Sequence, residues 1–248
     1  MRTVGVDLSA EARHTGIAVI DWRVGRAQVI DVRVGADDKA VIASMHAADK
    51  TALDCPLGWP EPFVEFLVAH RDGHVTVPVD VPGLAWRRTL SRRTTDLHVA
   101  SLTGVTPLSV AADRIAAVAM RAAGLLSVLA QQGQSVDRAG AGQVVEVYPA
   151  AALKCWHLPF QTYKGPLHRE ALGRLVDALL EALPKLDLCD AERLCRKSDD
   201  AFDAVVCALV ARAAAKGMTA GPPEHLTPLV ASEGWIMLPT RPLARLTD

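Results

Sequence analysis

The sequence predicts one α/β domain built on a mixed sheet, in which an antiparallel meander is continued by parallel strands. Three β-branched segments, Thr3–Leu8, Gly16–Trp22 and Arg26–Val34, are separated only by short turns, as in a meander. The helix-compatible stretch Asp38–Ala48 then precedes a short apolar run, TALDCP, which Pro56 ends. The length of 248 residues fits a single domain.

The second half of the chain adds one strand and three helices, recognised by apolar periodicity and by the residues that end each element. They are a helix at Ser109–Gln132, a strand at Val144–Tyr148, and helices at Arg169–Leu183 and Asp199–Lys216. Ser198 is the expected N-cap of the last helix, and Gly217 is its expected C-terminal stop. Residues 56–107 are irregular and rich in proline, so we expect an insertion that carries some helix.

Composition narrows the class of protein. The chain is 50% hydrophobic and 22% charged, as in an ordinary globular protein, and its formal net charge is -1. It lacks the basic excess that drives non-specific nucleic-acid binding, so any such binding must be local. Five widely spaced cysteines argue against a disulfide framework and a structural zinc. With no signal peptide and no apolar stretch of about 18 residues, we expect a cytoplasmic protein without a membrane span.

Acidic residues at the ends of predicted strands are the first candidates for chemistry. Asp7 follows VGV directly, where open α/β sheets present ligand-binding groups, although an aspartate in a turn is the alternative interpretation. Asp54 ends a strand that would return parallel to the first and could lie beside it. Two carboxylates on adjacent strand ends repel each other unless a cation lies between them.

The last predicted helix supplies further acids. Asp199 and Asp200 lie in its first turn, where the helix dipole alone favours acidic residues. Asp203 lies beyond that turn and beside an apolar stripe, so the dipole does not explain it. Glu146 alternates with valines in VVEVYP, which equally fits a solvent-facing strand residue.

A basic segment, WRRTLSRRTTD, supplies candidate substrate contacts. Arg87, Arg88, Arg92 and Arg93 would bind phosphate, with Trp86 nearby to stack on a base, and with Tyr163 and Lys164 as more distant members. The alternative is an arginine run on a solvated surface.

Five motifs in this order resemble the uncharacterised predicted nucleases collected as domain of unknown function 429. They are VGVDLSAEARHTGIAVID, LDCPLGWP, VEVYPAAALKCW followed by YKG, SDDAFDAVVCALVA and EGWIMLP. The resemblance implies a ribonuclease-H-like fold with a five-stranded mixed sheet, similar in its acids to Holliday-junction resolvases. It implies metal ligands at Asp7, Asp54, Asp200 and Asp203. It also implies a further catalytic residue at Glu146, which matches the family's Glu-x-Tyr-Pro motif.

The leading hypothesis is a metal-dependent nuclease. Mg²⁺ or Mn²⁺ is favoured because the candidate ligands are all oxygens. Asp7 would bridge two ions about 3.5 to 4 Å apart, and the substrate would be a nucleic acid or a nucleotide phosphodiester. Two alternatives stay open: a non-catalytic nucleic-acid- or protein-binding protein on the same fold, and a phosphotransferase of the actin and sugar-kinase kind, which normally needs two such domains. The oligomeric state is not predicted.

Overall fold

Strands and helices alternate along the chain. The computed structural model describes residues 1–81 and 83–248, so Pro82, within the expected insertion, lies outside the described residues. The elements in chain order are β1 (Arg2–Asp7), β2 (Gly16–Arg23), β3 (Arg26–Val34), α1 (Asp38–His46), β4 (Lys50–Asp54), α2 (Glu61–Arg71), α3 (Gly83–Ser91), α4 (Thr94–Thr103), α5 (Ile115–Gln131), β5 (Val144–Glu146), α6 (Pro149–Cys155), α7 (Arg169–Ala182), β6 (Leu186–Asp187), α8 (Glu192–Cys195), α9 (Asp199–Ala215), β7 (Thr219–Ala220), α10 (Thr227–Glu233) and β8 (Leu238–Pro239). Among these residues, no helix combines the length and apolar character that crossing a membrane requires.

The main sheet is mixed, as predicted, and in the described chain it has six strands in the order β5-β4-β1-β2-β3-β6. β1, β2 and β3 form the antiparallel meander, and β4 runs parallel to both β1 and β5. The expected count of five was wrong, because β6 pairs in parallel with β3. β6 contains only Leu186 and Asp187, which is too short for its apolar periodicity to be recognised.

Helix α9 lies across one face of the sheet, and most of its residues are buried. Two glycines permit this close approach. A Cβ atom at Gly5 would lie 2.0 Å from the backbone oxygen of Ala204, and one at Gly16 would lie 2.3 Å from that of Asp200. The other face packs on α1 and α5 through Val4, Val6 and the apolar residues of those helices. The start of α9 is therefore fixed against β2 and against β1, the strand that carries Asp7.

The predicted insertion is more helical than its sequence indicates, since it contains α2, α3 and α4. Within the described residues, neither α2 nor α3 contains a buried residue, whereas α4 buries Thr95, Asp96, Val99 and Thr103. Of these three helices, α4 is therefore the one that packs into the core.

Two boundaries differ from the prediction. The helix expected from Ser109 begins at Ile115, because the Ser109 hydroxyl and the Asp113 carboxylate accept backbone hydrogen bonds that form a turn first. β5 ends at Glu146 rather than at Tyr148, and Pro149 lies in the first turn of α6, where a proline costs no hydrogen bond that the helix needs.

Candidate functional site

Asp7 and Asp54 end two neighbouring parallel strands. The register of β1 and β4 pairs Asp7 directly with Asp54, so both side chains lie at the carboxyl edge of the sheet. The sequence prediction that these two acids lie side by side is confirmed by this register. Both residues are half-buried.

Asp203 joins them from α9. The carboxylate oxygens of Asp7, Asp54 and Asp203 lie within 4.8 Å of one another, and we call these three residues the carboxylate triad. Asp203 itself is fully buried. The contact of α9 with Gly5 positions this acid, because Ala204, the next residue, rests on that strand.

The loop before α7 holds Asp203 on both oxygens. The Tyr163 hydroxyl donates a hydrogen bond of 2.8 Å to Oδ1, and Lys164 Nζ lies 2.6 Å from Oδ2. Thr162, just before them, has a φ of +54°, a conformation that is strained for a β-branched residue. Strain of this kind is common where a loop must direct specific side chains into a site.

Burial and mutual repulsion both disfavour charge in the triad. Burial, followed by repulsion from Asp203 and Asp54, raises the pKa of Asp7 well above its ordinary value. Burial raises the pKa of Asp54 to about 7, although Lys164 opposes the shift, and burial likewise raises the pKa of Asp203. Burial opposes the charge of Lys164, but Asp203 and Asp54 outweigh it and raise the pKa of the ammonium. One ammonium thus faces three carboxylates.

Asp200, the fourth expected metal ligand, is half-buried at the start of α9 and lies outside the 4.8 Å group. Its Oδ2 atom is 3.9 Å from Nδ1 of His14. Burial and then the neighbouring Asp199 raise the pKa of Asp200. The structure therefore brings together three of the four predicted ligands.

Glu146 is placed in a separate cluster. Arg93 Nη2 donates a hydrogen bond of 2.7 Å to its Oε1 atom, and Arg93 Nη1 and the Leu57 amide donate bonds of 2.8 and 2.9 Å to Oε2. Arg93 also donates to Asp96 and to the backbone oxygen of Glu233. We call these residues, Arg93, Asp96, Glu146 and Glu233, the Arg93 network. Glu146 thus lies outside the triad in an internal ion pair with Arg93, and its catalytic role stays a prediction.

The four arginines predicted to contact substrate do not act as one set. Arg87 and Arg88 are exposed on α3, whereas Arg92 is half-buried and donates to the backbone oxygen of Pro107. Arg93 is 1% exposed and forms internal ion pairs with Asp96 and Glu146, and its contact with substrate stays a prediction. The reason is local: Arg93 is the N-cap residue of α4 and turns inward toward Asp96 at the third helical position.

A cavity of about 390 Å³ opens beside the triad. Its charged lining residues are Asp54 and Lys164, which belong to the triad and its ion pair, and Arg93 and Glu146, which belong to the Arg93 network. Most of the remaining wall is apolar or aromatic, from Leu108, Ile115, Val147, Tyr148, Phe160 and Ile236.

Sequence reasoning missed several of these residues. The Arg93 network was recognisable in part, since RTTD has the spacing of an N-cap and a third-position acid. Tyr148 and Phe160 carry no comparable pattern, because the cavity walls come from segments far apart along the chain.

The fold and this site define an α/β protein with an acidic triad at the carboxyl edge of its sheet. A family model described as "Protein of unknown function (DUF429)" matches residues 5–227, and the chain belongs to this family. The family membership inferred from the sequence motifs is therefore confirmed. Searches of curated proteins and of solved structures each found no match.

Proposed function

We propose that this protein is a nuclease that hydrolyses phosphodiester bonds with a divalent cation held by the carboxylate triad. The observation that carries the proposal is the convergence of Asp7, Asp54 and Asp203 within 4.8 Å, from a strand pair and a helix far apart in sequence. Such a group of buried acids is costly unless a cation offsets its charge.

The sheet supports the same class of protein. Its antiparallel meander is continued by two strands parallel to β1, which is the arrangement expected for a ribonuclease-H-like core. The triad lies at the carboxyl ends of β1 and β4, the edge where open α/β sheets present their ligand-binding groups. We propose that the fold is ribonuclease-H-like, with β6 as an added edge strand.

The chemistry of the donors fits Mg²⁺ or Mn²⁺. All three triad ligands are carboxylates, and these hard oxygen ligands suit both ions better than they suit zinc. Within the described chain, Lys164 is the ammonium paired with the triad, and it contacts only one of the three acids. The triad therefore keeps negative charge available for a cation.

The side chains of the chain have distinct tasks in this proposal. Asp7, Asp54 and Asp203 hold the ion, while Tyr163 fixes the orientation of Asp203 through its hydroxyl. Lys164, whose side chain is 53% exposed, can turn from Asp203 toward a substrate phosphate when the ion is bound. A bound Mg²⁺ or Mn²⁺ would activate water and stabilise the leaving oxygen.

Calorimetric titration with MnCl₂ and hydrolysis of a chromogenic aryl phosphodiester test this proposal together. We expect wild-type protein to bind Mn²⁺ and to hydrolyse the diester, and Asp7→Asn and Asp203→Asn to lose both properties. Asp190→Asn is the matched control, because Asp190 is exposed and lies outside the triad. Equal Mn²⁺ affinity in all four proteins would overturn the metal site. Mn²⁺ binding without hydrolysis would favour the non-catalytic alternative.

A further inference from the structure

The cavity beside the triad differs from its surroundings in charge. Although four charged residues line it, Arg93 and Glu146 are paired with each other through two hydrogen bonds. The remaining charged groups, Asp54 and Lys164, belong to the triad end. The other lining residues offer a ligand apolar surface and hydroxyl groups.

The apolar part of the cavity contains two aromatic rings. Tyr148 and Phe160 both line it and are both half-buried. Lys154 Nζ lies 4.8 Å from the centroid of the Phe160 ring, and this cation–π contact restrains the ring. A flat, uncharged group would stack favourably on such a ring.

Hydroxyl groups complete the lining. Three lining residues carry a hydroxyl group: Tyr148, Thr162 and Tyr163, of which Tyr163 donates its own to Asp203. Burial, with the charge of Asp54, raises the pKa of the Tyr148 hydroxyl. These hydroxyls can donate to or accept from the polar edge of a heterocycle. The volume of about 390 Å³ is that of a pocket for one small group rather than a groove for an extended surface.

We infer that the cavity accommodates one unpaired nucleobase, so that the substrate is a single-stranded or dinucleotide phosphodiester rather than a duplex. This inference rests on the proposed function, because it assigns the substrate class of the same site. With the base against Phe160 and Tyr148, its phosphate lies toward Lys164 and the triad, since Asp54 and Lys164 line both the cavity and the site. A base inside a duplex is stacked and paired, and it reaches such a pocket only by leaving the helix.

The first test is independent of any cation. Free nucleosides are titrated into metal-free protein, with binding followed by calorimetry. We expect Phe160→Ala to weaken nucleoside binding about tenfold, the effect typical of losing one stacking partner. Phe66→Ala is the matched control, because Phe66 is also half-buried but lies on α2, outside the cavity, and we expect it to bind as wild type does. Phe160→Leu, which keeps the apolar volume, replaces the alanine variant if that variant does not fold.

The second test uses substrates. The Mn²⁺-loaded protein hydrolyses the aryl phosphodiester in the presence of three kinds of competitor. These are deoxyribo- and ribodinucleotides, dinucleotides that lack one base, and a closed duplex hairpin of matched sequence. We expect loss of the base to weaken competition about tenfold and the hairpin to compete least. Comparison of the ribo- and deoxyribodinucleotides shows whether the base belongs to RNA or to DNA.

Each result decides between the two proposals. Unmeasurable nucleoside binding to wild-type protein, or equal binding by wild type and Phe160→Ala, would overturn the nucleobase pocket even if Mn²⁺ binds. Nucleoside binding that depends on Phe160, in a protein that does not bind Mn²⁺, would keep the pocket and reject the proposed nuclease. A hairpin that competes as well as the single strand would reject the assignment to unpaired substrates.

Discussion

The carboxylate triad and the Arg93 network border the same cavity, yet their acids differ in their cationic partners. In the Arg93 network, a guanidinium donates to both oxygens of Glu146 and to Asp96. In the triad, a single ammonium contacts Asp203 alone. The difference lies in the number of cations: one guanidinium serves the two acids Glu146 and Asp96, whereas one ammonium serves the three acids of the triad.

The Arg93 network is a structural anchor. The Glu233 carboxylate accepts hydrogen bonds from the amides of Glu61 and Thr94, at the starts of α2 and α4, at 2.9 and 2.7 Å. Arg93 joins that position to Glu146 at the end of β5. The network therefore ties the insertion to the sheet.

The largest effect on stability is expected from Arg93→Ala. This change leaves Glu146 and Asp96 buried without their guanidinium partner, so we expect the free energy of unfolding to fall by about 3 to 5 kcal/mol. Denaturant unfolding measures it. A loss below about 1 kcal/mol would mean that the network is not an anchor.

Gly5→Ala tests the triad independently of the Arg93 network, because the added methyl group meets α9 and not the insertion. A Cβ atom at Gly5 would lie 2.0 Å from the Ala204 oxygen and 2.2 Å from the Ala208 nitrogen, both of them backbone atoms. We expect a loss of about 1 to 3 kcal/mol in unfolding free energy and at least a tenfold loss of Mn²⁺ affinity as Asp203 is displaced. Gly124→Ala on α5 is the control, since nothing lies within 4 Å of a Cβ atom there. Equal Mn²⁺ affinity in both variants would contradict this account of how Asp203 is placed.

Asp54→Asn tests the charge of the triad through pH. Burial raises the pKa of Asp54 from an ordinary value of 3.8 to about 7. Between these values the folded metal-free protein retains a proton that the unfolded chain releases, so this residue's contribution to stability is lost as pH rises. We expect the asparagine variant to gain stability over wild type by up to about 1.4 kcal/mol per pH unit across this window.

Urea unfolding at several pH values, with Asp190→Asn as the control, makes that comparison. Parallel stability curves for wild type and Asp54→Asn would show that Asp54 titrates normally and that the triad is less buried than the structure indicates.

The smallest effect is expected from Arg87→Ala and Arg88→Ala. Both side chains are exposed on α3, so each change should alter the free energy of unfolding by less than about 0.5 kcal/mol. If they bind phosphate, each loss should reduce the salt-dependence slope of nucleic-acid affinity by about one unit. An unchanged slope would assign them to a solvated surface.

Much of the fold was predictable because its elements obey local rules. The meander follows from β-branched segments divided by turns, and Ser198 caps α9 by accepting a hydrogen bond from the Ala201 amide, as expected. β6 escaped prediction because it has two residues, and α6 because Pro149 indicates the end of a strand as readily as the start of a helix.

The positions of the acids at the strand ends were predictable from the order of the strands. The role of an acid was not predictable where a distant ion-pair partner decides it. Asp7 and Asp54 were predicted because they end two parallel strands. Asp203 was predicted because it lies beyond the first helical turn, where the helix dipole does not explain an acid. Glu146 has the same sequence character as these acids, but the structure pairs it with Arg93, 53 residues away. Long-range pairing of this kind leaves no local pattern.

The most direct test of the central claim is the location of manganese in crystals soaked with MnCl₂, read from anomalous difference density. We predict a manganese peak in contact with the carboxylate oxygens of Asp7, Asp54 and Asp203, and no peak in contact with Glu146. Fully occupied manganese elsewhere, with the triad still paired only to Lys164, would contradict it.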